Sequence, residues 1–146
     1  MYRIKIYSPG KTKAKFIQEG LNHYLKISSS FAKIELIELK KGQGEKQRVI
    51  QEESEEILNN IDGDFILLHT EGIMMDSMEF AKMIKDKSTY QFVIGGVYGV
   101  NDKVLNSASM RISLSKLTFT HELSRLLLLE QIYRAVTIIH GKKYHY

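Results

Sequence analysis

Two short, uninterrupted apolar runs, Phe65-Ile66-Leu67-Leu68 and Phe92-Val93-Ile94, constrain this chain more than any other feature. They are too short for helices and are bounded by Gly63 and by Gly95-Gly96, which is how strands buried on both faces look. Ser77 to Lys87, between them, has helical spacing. The two strands are therefore joined by a crossover and run parallel. The same alternation recurs along the chain. Tyr2, Ile4 and Ile6 alternate with Arg3, Lys5 and Tyr7 in a half-buried strand closed by Ser8-Pro9-Gly10. Thr12 to Lys26 follows as a helix with Ala14, Ile17, Leu21, Tyr24 and Leu25 on one stripe, then Ile34 to Leu39 as a strand. A helix begins near the end of the 40–48 loop and runs to about Asn60, with Val49, Ile50, Ile57 and Leu58 on its apolar side. A short helix near Asp102 to Ala108, a strand Arg111 to Leu114, a polar turn and a long helix from His121 to Ile139 complete the order. The expectation is an α/β fold, a mostly parallel sheet with helices on both faces.

The length of 146 residues fits one domain, residues 1–146, at roughly 100 to 200 residues per domain. No cysteine is present, which excludes disulfides, thiolate metal sites and cysteine nucleophiles. Lys and Arg exceed Asp and Glu by a net +4, a mild bias that suits a polyanionic partner or simply a solvated surface. The 40–48 loop, with Lys40, Lys41, Lys46 and Arg48 against Glu45, reads either way. The first residues lack the order of a secretory signal, and no apolar run approaches membrane-spanning length, so a cytoplasmic, membrane-free protein is expected.

Ligands of open α/β sheets bind beyond the carboxyl ends of the strands, which points to the loops 69–72, 95–99 and 115–120. Gly95-Gly96-Val97-Tyr98-Gly99 lets backbone approach a ligand, or is an ordinary tight turn. Its spacing is not that of the G-x-G-x-x-G dinucleotide loop, and no acid stands where it would hold a ribose, which disfavours a nicotinamide oxidoreductase. His121-Glu122 lacks a second His where Arg125 stands, so the helical zinc-protease motif is absent and no metal is expected. His121 satisfies the helix N-terminus or lines a pocket. Arg125 reads as an ion-pair partner of Glu122 or Glu130, and Arg134 as an ion pair or an anion ligand. Tyr144, His145 and Tyr146 in the tail either dock on the surface or stack on bases and move a proton.

Taken in order, Ile94-Gly95-Gly96 with Gly99, Ser115-Lys116-Leu117-Thr118 leading to His121, Glu130-Gln131-Ile132-Tyr133-Arg134-Ala135 and the closing Tyr144-His145 resemble the RlmH family. That family comprises SPOUT-class methyltransferases that act on a pseudouridine of 23S ribosomal RNA in the assembled ribosome. The resemblance covers the whole chain and is most specific in its last third. It implies a deep C-terminal trefoil knot, a homodimer and an S-adenosylmethionine site. It assigns cofactor contacts to Leu68, Gly96, Ser115, Lys116, Leu117, Thr118, Phe119 and Thr120. The departures from the family are Val97 in the glycine loop and Tyr146 where Arg commonly follows Tyr-His.

Methyl transfer from a sulfonium needs in-line approach, so positioning carries most of the acceleration. If the acceptor is the pseudouridine N3, its proton must leave, which requires a base or stabilisation of the anion. His145 is the candidate for that task, Tyr144 for orienting or stacking on the base, and Arg134 for holding phosphate or anion. The alternative is a non-catalytic RNA- or ribosome-binding protein of the same fold.

Overall fold

The computed structural model describes all residues 1–146. Strands β1 (Tyr2–Pro9), β2 (Ala32–Leu39), β3 (Ile66–Met74), β4 (Thr89–Ile94) and β5 (Met110–Ser113) form one sheet in the order β2-β1-β4-β3-β5. Every pairing is parallel. The crossovers are α1 (Lys15–Ser28), α2 (Lys46–Asn60), α3 (Ser77–Lys85) and α4 (Asp102–Ser107), and α5 (His121–Ile139) follows the last strand. No helix is long and apolar enough to cross a membrane.

Successive strand residues face opposite sides of the sheet, which is why the apolar runs need no alternation. Ile66, Phe92 and Ile94 pack against Ile17 and Leu21 of α1, Ile84 of α3 and Leu128, Leu129 and Ile132 of α5. Leu67 and Val93 pack on the other face against Ile57 of α2 and Val104 of α4. The result is the expected α/β class, with α1, α3 and α5 on one side and α2 and α4 on the other. α5 is apolar around more than one stripe because α1 and α3 flank it while the sheet lies beneath. None of its residues from His121 to Ile139 is exposed.

Several boundaries differ from the expected ones for identifiable reasons. α1 starts at Lys15 rather than Thr12, because Glu122 of α5 accepts the N–H groups of Lys13 and Ala14, each at 3.0 Å, and keeps Ala14 extended. α3 ends at Lys85, and the Tyr90 hydroxyl takes the Lys87 N–H at 3.1 Å. Most consequential, residues 69–72 are not a free loop after β3. The strand resumes beyond them: Leu68 and Ile73 both stand opposite Ile112 of β5, and the intervening residues bulge out. Gly72 makes this possible, since a Cβ there would lie 2.7 Å from the backbone of Arg111 and Ile112.

Arg125 pairs with neither Glu122 nor Glu130. Its side chain is turned inward, 2% exposed, against the end of β1. There Nε donates to Ser8 Oγ at 3.2 Å, Nη1 to Thr12 Oγ1 at 2.7 Å, and Nη2 to the Pro9 and Gly10 carbonyls at 2.8 and 2.9 Å. Glu38 Oε2 lies 3.7 Å from Nη1. Burial works against the charge, and Glu38 is the main influence opposing that penalty. A buried charge is tolerable only when hydrogen-bonded in this way. Arg125→Ala is expected to cost about 3 kcal/mol in urea denaturation by stranding these oxygens, with Arg125→Lys intermediate because a single ammonium cannot reach them all. Unchanged stability of the alanine variant would contradict the assignment.

Candidate functional site

A cleft of about 1130 Å³ opens beyond the carboxyl ends of β3, β4 and β5. That volume suits a ligand of nucleoside size or larger. One wall is Leu68, His69 and Thr70 of β3, and a second is the turn after β4, including Gly95, Gly96 and Gly99. Residues 113–115 and 117–124, from β5 into the first turn of α5, form a third wall, and Ala14 with Phe16 and Ile17 of α1 closes the side. This is the position at which open parallel sheets bind ligands.

Local hydrogen bonds shape each wall. In the glycine turn the Gly99 N–H donates to the Gly96 carbonyl at 3.0 Å, and Gly99 sits at φ +80°, a region that favours glycine. Val97 and Tyr98 at the tip are exposed. After β5, Ser113 Oγ donates to the Ser115 carbonyl at 2.9 Å, and Ser115 Oγ accepts the Leu117 N–H at 3.0 Å. Thr120 then caps α5, accepting the Leu123 N–H at 3.2 Å. The helix N-terminus is thus satisfied by Thr120, and His121 lines the cleft instead. Leu68, Gly96, Ser115, Leu117, Thr118, Phe119 and Thr120 all stand on the cleft wall, whereas Lys116 is exposed outside it.

Arg134, Tyr144 and His145 are brought together elsewhere. Arg134 forms an ion pair with Glu130 and donates to His145 Nδ1 at 3.1 Å. Its guanidinium also lies 4.7 Å from the centroid of the Tyr144 ring. Tyr144 donates to Glu130 at 3.2 Å and packs edge-on against Tyr133 at 4.8 Å. Burial, the hydrogen bonds of its hydroxyl to Tyr24 and to the Glu130 carboxylate, and the Glu130 charge all push the Tyr144 phenol well above its ordinary range. The tail is docked rather than loose at Tyr144 and His145, which are half-buried, whereas Gly141 to Lys143 and Tyr146 are exposed. Arginine can only donate, so His145 accepts at Nδ1 and, when neutral, carries its proton on Nε2.

This cluster and the cleft occupy opposite ends of α5. At about 1.5 Å per residue, Arg134 lies roughly 20 Å along the helix from His121. No group of three or more His, Cys, Asp or Glu side chains is placed to hold a metal. Two polar residues behind the cleft, Glu53 and Ser54 of α2, were not expected to matter, yet both are buried. The available signal is spacing: Glu53 falls between Val49 and Ile57 on the helix's apolar stripe.

A family model described as "Predicted SPOUT methyltransferase" matches residues 2–145. A protein named ribosomal RNA large subunit methyltransferase H, from Thermodesulfovibrio yellowstonii, is 69% identical over 146 residues, the whole of both chains. Another of that name, from Streptococcus pneumoniae, is 41% identical over 157 aligned positions, covering 98% of this chain and 99% of the relative.

Burial, and secondarily Arg125, lowers the His121 pKa from its ordinary 6.5. The neutral ring is therefore the form the fold favours, a contribution present above pH 6.5 and lost as pH falls through the lowered value. His121 should titrate below 6.5 by NMR, and His121→Gln should lose less stability than the native chain on acidification. A His121 midpoint at or above 6.5 would contradict this environment.

Proposed function

The chain belongs to the SPOUT methyltransferase family, and from that premise we propose that it uses S-adenosylmethionine to methylate N3 of a pseudouridine in 23S ribosomal RNA on the assembled ribosome. Residues 1–146 act as one methyltransferase domain in the cytoplasm, its C-terminal segment threaded as a trefoil knot. The observation that carries the reading is the cleft at the carboxyl ends of β3, β4 and β5, one wall of which presents the glycine backbone of Gly95, Gly96 and Gly99. Such a wall fits a ligand held against backbone.

The bound cofactor supplies a methyl group on a sulfonium. Leu68 and Gly96 hold its flank, and the Ser115 to Thr120 segment wraps it through Leu117, Thr118 and Phe119. Lys116, in the same turn, faces solvent and is left for contact with RNA phosphate. His145, as the Nε2–H tautomer, donates to a carbonyl oxygen of the target base and stabilises the anion left when the N3 proton passes to solvent water. Serving as the proton acceptor itself requires its release from Arg134. Tyr144 orients the base, and Arg134 holds the His145 ring while adding positive charge.

Within one chain the tail cannot reach its own cleft, so the working site joins the tail of one copy to the cleft of another in a homodimer. Exposed Phe16, Val97 and Leu117 at the cleft mouth supply apolar surface for such a partner or for bases.

His145→Ala is expected to lower methylation of ribosomes about 100-fold while S-adenosylmethionine affinity by calorimetry stays within about twofold, and Tyr144→Phe to have a smaller effect. Unchanged turnover would remove both from the chemistry. Mixing a cleft variant with a tail variant should restore activity that neither has alone, and failure to do so would contradict the shared site. Ribosomal RNA from cells lacking the protein should miss one methyl by mass spectrometry. No binding of S-adenosylmethionine would instead favour a non-catalytic ribosome-binding protein. Activity should also fall steeply with salt if phosphate contacts hold the RNA.

A further inference from the structure

α2 carries a carboxyl where its apolar stripe should continue. Val49, Glu53 and Ile57 follow at helical spacing, and Glu53 is only 2% exposed. A buried carboxyl is costly unless its oxygens are partnered. Oε2 accepts the Gly42 N–H at 3.1 Å, but Oε1 has no hydrogen-bond partner. The side chain is clasped by two glycines. A Cβ on Gly42 would sit 3.2 Å from Glu53 Cγ and closer still to the Val49 backbone. One on Gly96 would overlap Oε1 and come within 3.1 Å of Cδ. Next to it, fully buried Ser54 accepts the Asn101 N–H at 3.0 Å. α2 therefore holds the glycine turn near both ends, from the side away from the cleft.

We propose that Glu53 is a positioning residue for the donor cleft, its carboxyl setting where Gly96 lies and hence the backbone wall presented to the methyl donor. The proposal deepens the S-adenosylmethionine reading and rests on it. Burial is the largest influence on Glu53 and holds its carboxyl above the ordinary 4.5, against the Gly42 hydrogen bond and Lys41 of the loop after β2. Glu52 on the same helix adds to the rise. The 95–99 turn contributes no charged side chain, and Tyr98 is its one titratable group. Protonation removes the cost of a buried charge at an oxygen that no donor reaches, so the neutral acid suits this site. Because the pKa is raised, that contribution is complete below 4.5 and is lost as pH rises through the raised value.

The test follows the Gly96 amide resonance of the full chain without donor, native and Glu53→Gln, over roughly pH 4 to 8. Gly96 is expected to titrate in the native protein with a midpoint above the ordinary carboxylate value, and not in Glu53→Gln. By calorimetry, native affinity for S-adenosylmethionine should weaken several-fold through the same midpoint and stay level in Glu53→Gln. Glu53→Leu should lose about tenfold or more throughout, with its fold checked by melting. A Gly96 resonance that titrates identically in both proteins, or in neither, overturns the proposal, as does donor affinity with the same pH profile in both. If Gly96 titrates as expected but the donor binds at no pH, the hold on the turn stands and the donor reading falls.

Discussion

The buried guanidinium of Arg125 is the interaction on which the rest of the site depends. It brings four oxygens at the end of β1 and in the residues just after it onto the first turns of α5. That places the start of α5, and so the whole segment descending to it from β5, against the sheet's carboxyl edge. Three residues earlier in the same helix, Glu122 reaches back to Lys13 and Ala14 and sets where α1 begins. Ala14 and, from α1, Phe16 and Ile17 in turn line the cleft. Two charged residues of one helical turn thus organise two walls, and a lost guanidinium would loosen both.

The second determinant is the length of α5. A helix following a parallel strand runs back towards the strand's amino end, so one end of α5 belongs to the cleft and the other to the tail. Glu130, Arg134, Tyr144 and His145 form a compact charged and aromatic knot of side chains there. The ordering of Arg134 by Glu130 and of Tyr144 by Tyr133 limits the entropy that a bound base would have to remove. Physical separation of the two halves is what makes a second copy part of the proposed chemistry.

Much of this architecture was legible in the sequence because it rests on local pattern. The double-faced strands at Phe65 to Leu68 and Phe92 to Ile94, the crossovers and the helical stripe of α1 all follow from side-chain periodicity, and the carboxyl-edge loops follow from parallel topology. What escaped depended on partners distant in the chain. Arg125 has acids at helical spacing, yet buried oxygens more than a hundred residues away hold it instead. The bulge in β3 is set by its pairing with β5 across Gly72, and the docked tail by Tyr24, Glu130 and Tyr133. Glu53 was readable in principle as a charge on an apolar stripe, but its significance comes from Gly42 and Gly96, which only the fold brings to it. The trefoil knot proposed for the C-terminal segment would have no local signature at all, since the default connection is unknotted.

The cleft at the carboxyl ends of β3, β4 and β5 is proposed to receive S-adenosylmethionine, and every role given to its walls depends on that. A crystal structure of the protein grown with that molecule tests it most directly. The donor is expected to lie against Leu68 and Gly96 beneath the 115–120 segment, with its methyl turned towards the cleft mouth. Donor bound at another place on the chain, with this cleft left open at saturating concentration, would rule out this cleft as the methyl-donor site.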